Sequence, residues 1–573
     1  MKEKLNVKRS ATKKGKVFKT VLSLKANEAL DFFMKSEQYH GFELPEYFDF
    51  DEVLTYVKDM VEKKAFKSCV KGVSPDKLSD VNVDILLNKD GHYAVRPLIL
   101  ANPFLYYFLA REICGTTTSW TAVKKCFVAF ELPNIKSCAL PVIPQKAEKF
   151  HKSTTILNWW HAMEQRSLEL SLEYRYMFVT DITNCYGSIN PQSIDWALAC
   201  KNTKHETTEN QKMAENIQTY LRAMQHGHNI GIPQGSALFD FVGEIVLGYS
   251  DLLLHEALKK EKINDYEIIR YRDDYRVFCN DKDKLERISY ILQSVLESLN
   301  FRMNSQKTKI SDSIVMDSIK PDKLFYIYNT PIFNKKECDF DGIQKHLLYI
   351  LMFSRKYPNS GQLRTMLSDL DKRIIKKLEP KKIKVKEWPI DFDDNSDNIL
   401  KTLPVYKEIE MPGRIVENVR AITAVATQIA LENISVSHYA LRVISRVVDS
   451  LTDMKEKQDI ISKVYGKLCK QPNSDYNQLW LQNITYSWDK NSKKSPYTLR
   501  LCKLVMGNVE ESLWNNDWLA PELTEKLPLD SIVNKETLKN VTPVITFRET
   551  RMYMELPEVD DDFLAGLDEI ETI

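Results

Sequence analysis

Apolar and polar residues are arranged differently in the two parts of the chain. From about residue 80 to 335, short β-type apolar runs are mixed with runs of helical period, whereas after about residue 340 almost every apolar pattern is helical. This predicts an α+β front and an all-α back. No clean repeat is visible, so a helical-repeat array and an irregular bundle both remain open. The predicted helix faces of the back part are Ile415, Val419, Ile422, Val425 and Ile429, then Leu441, Ile444 and Val448, then Ile460, Val464 and Leu468.

Two apolar strands of the front part lead to acidic residues. The run from Tyr176 to Asp181 ends on a carboxylate, which taken alone is typical of a helix cap or a turn. The run from Ile268 to Phe278 has the pattern of a hairpin with Asp273 and Asp274 at its tip. Because strongly apolar strands flank these two acids, burial near a cation explains them better than a polar turn does.

Two other segments are weaker signals on their own. A glycine-rich loop containing Gln234 and Gly235 opens an apolar helix, which suits close approach to a ligand but is also a routine structural device. Farther on, Lys307 and Lys309 follow a helix marked by Leu285, Ile288, Leu292, Val295 and Leu299, and either lysine could simply be solvated.

In their order along the chain, these segments resemble the palm motifs A, B, C and D of reverse transcriptases. The matching features are an Asp with an aromatic residue five positions later (Asp181 and Tyr186), a Pro-Gln-Gly loop and helix, a Tyr-x-Asp-Asp hairpin, and a lysine after a helix. The resemblance implies an α+β right-hand polymerase, with fingers and palm, followed by the all-α C-terminal region. It also implies that Asp181 lies close to Asp273 and Asp274.

The resemblance assigns chemistry to these residues. In-line displacement at phosphorus uses two cations, and carboxylates are the ligands that Mg²⁺ prefers, so Asp181, Asp273 and Asp274 are the expected catalytic residues and ligands of two Mg²⁺ ions, with Mn²⁺ as a substitute. Tyr186 resembles the steric gate that excludes a 2′-hydroxyl. Gln234 and Gly235 would line the nucleotide pocket, and Lys307, or alternatively Lys309, would donate a proton to pyrophosphate.

An upstream block resembles the fingers. Asn88 to Pro103 reads as a hairpin followed by a proline that begins the helix 104–113. Arg96 is the candidate for a triphosphate contact because a guanidinium grips phosphate with two hydrogen bonds, although a structural salt bridge suits it equally. The predicted organisation is a helical and basic N-terminal extension (1–79), fingers and palm (80–335), a thumb-like basic helical connection (336–390), the all-α domain (391–545) and an acidic tail (546–573).

The Tyr-Arg-Asp-Asp core, the Arg-Pro-Leu-x-Leu-Ala-Asn-Pro block and the long helical C-terminal region resemble the bacterial UG/Abi group of defence-associated reverse transcriptases. That group implies DNA synthesis from dNTPs for protection against phage, guided by a noncoding RNA or without a template, and a homo-oligomer or a partner reverse transcriptase. Arg272 replaces the Ala common in retroelements and is expected to touch primer or product. No protease, ribonuclease H, integrase or HNH pattern is visible.

Other functions remain open. One is a retron-like or intron-like reverse transcriptase with another role. Another is a catalytically silent palm that serves as a nucleic-acid-binding scaffold or phage sensor, although unpaired buried acids would be costly to keep without a cation. A viral RNA-dependent RNA polymerase fits less well, since Tyr186 favours deoxynucleotides.

Composition limits the partners and the compartment. With 80 basic and 79 acidic residues, the formal charge of +1 gives no global attraction to nucleic acid or a membrane, so such a partner must be bound locally. The first twenty residues are basic, which suits either phosphate binding or a solvated tail. Ten cysteines without a zinc-type spacing, no signal peptide and no transmembrane run predict a protein of a reducing cytoplasm, which the family resemblance implies is bacterial.

Overall fold

A computed structural model describes residues 19–88, 95–143, 158–199, 208–329, 342–387, 405–489, 495–508, 512–524, 527–546 and 549–550. The basic N-terminal arm, the acidic run 391–398 and nearly all of the acidic tail lie outside these ranges. Within them, no helix has the length and apolar character needed to span a bilayer.

The N-terminal segment packs against the first long helix of the fingers. That segment contains α1 (Ala26–Phe33), α2 (Ser36–Tyr39), α3 (Asp51–Val61) and α4 (Phe66–Cys69). The buried hydroxyl of Tyr106 donates to the carbonyl of Phe33 at 2.9 Å, and the hydroxyl of Tyr39 donates to the carbonyl of Ala101. The extension is therefore part of the folded core.

The fingers block contains the predicted hairpin and helix. Strand β1 (Val83–Asn88) pairs antiparallel with β2 (Val95–Leu100). Pro103 then begins α5 (Pro103–Cys114), whose N-cap, Asn102, accepts a hydrogen bond from the Phe104 amide at 3.1 Å. The helix α6 (Thr117–Ala129) follows.

A five-stranded sheet forms the palm, in the order β3-β5-β6-β4-β7. Its strands are β3 (Ile135–Ser137), β4 (Tyr176–Asp181), β5 (Glu267–Tyr271), β6 (Asp274–Cys279) and β7 (Lys309–Ser311). Alternate residues of β6 enter different cores: Tyr275 and Val277 join the main hydrophobic core, whereas Phe278 packs with Met177 and Ile269 on the other face. Burial on both faces explains why these strands read as continuous apolar runs.

Helices connect and cover the sheet. Between β3 and β7 lie a π-helical turn (Trp160–Gln165), α7 (Arg166–Leu170), α8 (Cys185–Ser188), α9 (Gln192–Ala199), α10 (Thr208–Ala223), α11 (Ala237–Lys260) and α12 (Lys282–Ser298). The long α11 is buried along most of its length and α12 packs on β4 and β6. Two short helices, α13 (Ile314–Ser318) and α14 (Pro321–Asn329), lead out of the palm.

The C-terminal region is helical, as predicted, with one exception. Its helices are α15 (Ile343–Lys356), α16 (Gln362–Leu378), α17 (Val419–Glu432), α18 (Ser437–Asp449), α19 (Met454–Leu468), α20 (Asp475–Asp489), α21 (Arg500–Val505), α22 (Pro521–Thr524) and α23 (Lys535–Lys539). The predicted apolar faces of α17, α18 and α19 are buried, except that Val425 is only partly buried and Ile415 lies before α17 begins.

The exception is a hairpin that the sequence pattern did not predict. Strand β8 (Lys381–Glu387) pairs antiparallel with β9 (Val405–Met411), so residues 336–390 are not purely helical and neither are residues 391–545. Lysines alternate with Ile383 and Val385 in β8, which is the period of a strand. The acidic residues of β9 lie opposite the lysines, and Lys384 and Glu408 are 3.8 Å apart.

The helical region packs back on the fingers. The buried Trp514 indole donates to the carbonyl of Leu100 at 3.1 Å, and the Asp475 carboxylate accepts from the Leu86 amide at 3.1 Å. One continuous hydrophobic core includes residues from both parts. The back of the chain therefore supports the β1–β2 hairpin directly.

Candidate active site

The three predicted acids meet where β4 and β6 pair. Asp181 ends β4 and lies directly opposite Asp274, the first residue of β6. Asp273 occupies the hairpin loop, and its carbonyl accepts a hydrogen bond from the Ile182 amide at 3.1 Å. The antiparallel register therefore brings together residues that are almost a hundred positions apart in the sequence.

The surroundings of these acids are electrostatically unfavourable for three carboxylates. Asp181 is 5% exposed, and among the described residues its Oδ1 has no hydrogen-bond partner. Burial, reinforced by the charge of Asp181, raises the pKa of Asp273 despite a backbone hydrogen bond that acts the other way. Partial desolvation and the neighbouring Asp273 raise the pKa of Asp274 to about 6, although the side chain of Asp274 reaches solvent.

Lys307 partly offsets this negative charge. The chain turns after α12 so that the Asn304 amide donates to the Asp181 carbonyl at 2.8 Å, and the Lys307 ammonium donates to Asp181 Oδ2 at 2.5 Å. Burial lowers the pKa of Lys307, but the hydrogen bond to Asp181 and the nearby carboxylates outweigh it, and the net shift is upward. Lys309, the alternative to Lys307, instead pairs with Asp317.

The donor chemistry fits a divalent cation, although the described residues contain no group of three His, Cys, Asp or Glu side chains close enough to form a complete metal site. Asp181 offers a buried carboxylate oxygen, Oδ1, that accepts no hydrogen bond from the described residues. Asp273 and Asp274 add carboxylate oxygens, the hard ligands that Mg²⁺ prefers. These three residues are the ones that would hold the ion.

The glycine-rich loop lies between the fingers and the palm. The carbonyl of Gln234 accepts from the Ile99 amide of β2 at 2.9 Å, and the carbonyl of Gly235 accepts from the Gly41 amide at 2.5 Å. Gly235 has φ +126°, and a Cβ there would lie 3.3 Å from the Ile99 nitrogen. This position therefore requires glycine, both for its backbone conformation and for the close approach of β2.

Tyr186 lies on α8, just after the strand that carries Asp181. Its carbonyl accepts from the Ile232 amide at 2.9 Å, which attaches α8 to the segment before the glycine-rich loop. Its hydroxyl donates to Asp240 Oδ1 at 2.7 Å. Burial and the Asp240 carboxylate raise the pKa of Tyr186 well above its usual value, so the hydroxyl keeps its proton.

Arg96 and Arg272 are placed differently from each other. Arg96 is exposed on β2 opposite Leu87, and within the described residues it makes no ion pair with the three acids or with any other carboxylate. Arg272, which the sequence predicts will touch primer or product, directs its guanidinium to Asp240 Oδ2, 2.5 Å away.

Three acids that the sequence did not single out line the face of α11 that meets the hairpin. They are Asp240, Glu244 and Asp251, and spacings of four and seven residues place them on one helix face. Asp240 pairs with Arg272, while Glu244 and Asp251 both pair with the fully buried Arg270. The sequence signal for them is the polar stripe itself, in the largely apolar stretch 237–254 of α11.

Comparison with known proteins identifies the domain. Residues 126–344 match the family described as reverse transcriptase (RNA-dependent DNA polymerase), a range that includes the three acids, Tyr186, the glycine-rich loop and Lys307 but not Arg96. Domains of this family generally use divalent metal ions, typically Mg²⁺, and bind nucleic acid and dNTPs. A search of curated protein sequences finds no match.

Telomerases are among the solved structures that match this chain. The chain is 11% identical to Candida albicans telomerase solved with a fragment of telomeric RNA, covering 75% of this chain and 67% of that one, with a TM-score of 0.28. Apo telomerase from Candida tropicalis is 13% identical, with 72% and 74% covered and a TM-score of 0.28. At these TM-scores the likeness supports no functional conclusion.

Proposed function

We propose, from the premise that this chain is an RNA-directed DNA polymerase with a reverse transcriptase domain, that it joins deoxynucleotides at Asp181, Asp273 and Asp274. We further propose that its DNA product serves antiviral defence of a bacterial host against phage. The synthesis either copies a partner noncoding RNA or proceeds without a template. The protein would work in the cytoplasm, as a homo-oligomer or with a partner reverse transcriptase.

One observation carries the catalytic proposal. The register of β4 against β6 places Asp181 opposite Asp274, with Asp273 beside both and Asp181 Oδ1 left without a partner. A scaffold that only bound nucleic acid would gain nothing from keeping these acids together, because three crowded carboxylates with a single lysine among them destabilise the fold. The arrangement therefore favours catalysis over the silent-scaffold alternative.

The acids would hold two Mg²⁺ ions, for which Mn²⁺ could substitute. Bound divalent ions at such a site activate the attacking hydroxyl and neutralise charge on the triphosphate. Asp181, with one oxygen free and the other on Lys307, and Asp273 are the residues proposed to contact both ions, and Asp274 is proposed as the less essential ligand.

The remaining residues would contact the nucleotide. Tyr186 is proposed to lie under the sugar as the steric gate, and Gln234 and Gly235 to line the pocket. Lys307 is already at the acids and carries the proton proposed to pass to the pyrophosphate leaving group. Arg96 is proposed to reach the triphosphate from the fingers, a role that its exposure permits.

The defence role is supported by features of the motifs and of the C-terminal region. The Tyr-Arg-Asp-Asp core at 271–274 and the fingers block at 96–103 resemble the UG/Abi group. The helical region docks on that same fingers block, since the side-chain amide of Asn102 donates to Asn516 Oδ1 at 2.7 Å and the Trp514 indole donates to the Leu100 carbonyl. A C-terminal region built into the polymerase agrees with the long helical part of that group.

The catalytic test uses the full chain, purified with its flanking DNA co-expressed so that a partner RNA is retained. Each labelled dNTP and NTP is supplied with Mg²⁺, and wild type is compared with Asp273→Asn/Asp274→Asn and with the exposed control Asp283→Asn. We expect deoxynucleotide polymer from wild type and the control and none from the double variant. No polymer from wild type, with its RNA present, would contradict the proposal.

The defence test follows phage plating on cells that carry the same DNA. We expect fewer plaques with wild type and normal plaque numbers with Asp273→Asn/Asp274→Asn. Polymerase activity in vitro without any effect on plaques would instead favour the retron-like or intron-like alternative. Sequencing the product would show whether it copies the bound RNA.

A further inference from the structure

One carboxylate joins three of the motifs. Asp240 lies in the first turn of α11, immediately after the glycine-rich loop. Its Oδ1 accepts from the hydroxyl of Tyr186, and its Oδ2 accepts from the guanidinium of Arg272. The aromatic residue after the first acid, the helix after the glycine-rich loop and the Tyr-Arg-Asp-Asp hairpin are thus connected through a single side chain.

The Tyr186 ring is held from two directions. Its backbone is fixed by the hydrogen bond from Ile232, and its far end is fixed by Asp240 at 2.7 Å. The ring edge runs along α11 at Gly243, where an added Cβ would be 3.4 Å from the ring. Gly243 has no side chain that could restrain the ring. The hydrogen bond from the Tyr186 hydroxyl to Asp240 therefore restrains the orientation of the ring.

Arg272 holds Asp240 in turn, and it does so from a costly backbone position. Its φ is +53°, a left-handed conformation that favours glycine or asparagine in a two-residue hairpin loop. The carbonyl of Arg272 accepts from the buried Arg270 at 3.0 Å, which fixes the loop from below. Its guanidinium also lies 5.5 Å from the ring centroid of Tyr271. An arginine at this position is therefore best explained by the contact of its guanidinium with Asp240.

We propose that Asp240 is a positioning residue for nucleotide selection, which fixes the ring of Tyr186 so that a sugar with a 2′-hydroxyl is rejected. Arg272 supports this role by fixing Asp240. The inference rests on the proposed function, because it takes Tyr186 as the steric gate of a DNA polymerase. A mobile Tyr186 ring would leave room for a 2′-hydroxyl part of the time. A ring fixed by Asp240 excludes the 2′-hydroxyl from every bound nucleotide.

A carboxylate suits this place better than an amide. Asp240 receives a donor on each oxygen, one from a hydroxyl and one from a guanidinium. An asparagine would direct its NH₂ group at one of these two donors and would lose that bond. A merely structural role would reduce stability and overall activity but would leave the choice between sugars unchanged, and this difference is what an experiment can measure.

The test measures kcat/KM for each dNTP and the matching rNTP with the RNA-containing protein. The variants are Tyr186→Phe, Asp240→Ala, their combination and Tyr186→Ala. Asp283→Ala is the matched control, because Asp283 is also an acid in the first turn of a helix but is exposed. Tyr186→Phe removes only the hydroxyl, so it tests the same bond if Asp240→Ala fails to fold.

We expect Tyr186→Phe and Asp240→Ala each to lower the dNTP-to-rNTP ratio of kcat/KM by about 10-fold, the equivalent of losing one hydrogen bond. The ratio should fall because kcat/KM for the rNTP rises. The combined variant should lose no more than either single variant, because both remove one interaction. Tyr186→Ala should lose more than any of them.

Three results would overturn this inference without contradicting the proposed polymerase activity. They are an unchanged ratio in Tyr186→Phe, multiplied losses in the combined variant, and a general loss of activity in Asp240→Ala with the ratio unchanged. Wild type that makes no polymer would remove the proposed function and this inference together, and the missing wild-type signal would identify that case.

Discussion

The palm and the helical region each bury a cluster of charges, and the two clusters have opposite composition. In the palm, one arginine faces two acids: Arg270 lies 2.9 Å from Glu244 and 2.8 Å from Asp251, all three almost fully buried. In the helical region, one acid faces two arginines: Asp371 lies 3.1 Å from Arg442 and 2.5 Å from Arg446.

This difference determines how each cluster responds to its surroundings. A surplus carboxylate can bind a proton, and burial already raises the pKa of Asp251 despite the nearby Arg270. A surplus guanidinium stays charged at all ordinary pH, so the helical cluster depends on fixed partners. Arg442 finds them in Asp371, in Ser368 at 2.8 Å and in Thr550.

The clusters also differ in what they hold. Arg270 connects α11 to the hairpin that carries Asp273 and Asp274, so the palm cluster lies directly beneath the proposed catalytic residues. Asp371 connects α16 to α18 within the helical region, and Arg442 extends the contact to the end of the described chain. Disruption of the first should therefore affect activity and stability, and disruption of the second mainly stability.

The largest loss of stability is expected for Asp371→Asn. The buried Arg442 and the partly buried Arg446 would lose the carboxylate that they share, at a cost of about 4 kcal/mol that no change of protonation relieves. Urea unfolding at pH 7 and pH 5 should give the same loss. Asp369→Asn, which breaks an exposed pair with Lys372 on the same helix, should cost less than about 1 kcal/mol. A loss at Asp371 as small as that of the control would contradict the comparison.

A somewhat smaller and pH-dependent loss is expected for Arg270→Gln, about 3 kcal/mol at pH 7. Burial already raises the pKa of Asp251 above its ordinary value, and loss of the Arg270 guanidinium, which acts the other way, raises it further. The penalty is therefore present at high pH and is relieved as pH falls, so unfolding at pH 5 should show a smaller difference from wild type. Polymerase activity should also fall.

The matched control for Arg270→Gln is Arg287→Gln, whose pair with Glu261 is largely exposed. It should change neither activity nor the pH profile measurably. If the stability loss of Arg270→Gln were as insensitive to pH as that of Asp371→Asn, the argument from the surplus carboxylate would fail.

The sequence predicted the local elements of this molecule better than the connections between them. The hairpin carrying Asp273 and Asp274, the strand ending at Asp181 and the helix after Pro103 all follow from short apolar patterns, and all are present. The hydrogen bonds of Asp240 with Tyr186 and Arg272 join three separate segments of the chain. A local sequence pattern does not predict such long-range contacts.

The β8–β9 hairpin was missed for a different reason. Its lysines read as a solvated, helical connection, and only the acidic partner strand reveals their alternation as a β pattern. Docking of Trp514 on Leu100 was equally invisible, because a buried tryptophan does not specify which backbone carbonyl its indole will reach.

The smallest change in stability is expected for Asp274→Asn in the metal-free protein. This variant extends the comparison to a group of acids that no arginine neutralises. Asp274 has a pKa of about 6 in the folded chain, above the ordinary value of 3.8, so its ionisation opposes folding. This penalty is absent below about pH 4, develops as pH rises and is complete above about pH 6. Solvent at this exposed side chain keeps it small.

In EDTA at pH 7, Asp274→Asn should therefore have a slightly higher Tm than wild type, and the difference should vanish toward pH 4. Added Mg²⁺ should raise the Tm of wild type more than that of the variant, because the ion supplies the positive charge that Arg270 supplies to its own acids. A variant that is less stable than wild type in EDTA at pH 7 would mean that Asp274 has a favourable partner in the empty protein. In that case the crowding of acids would not be evidence for a cation.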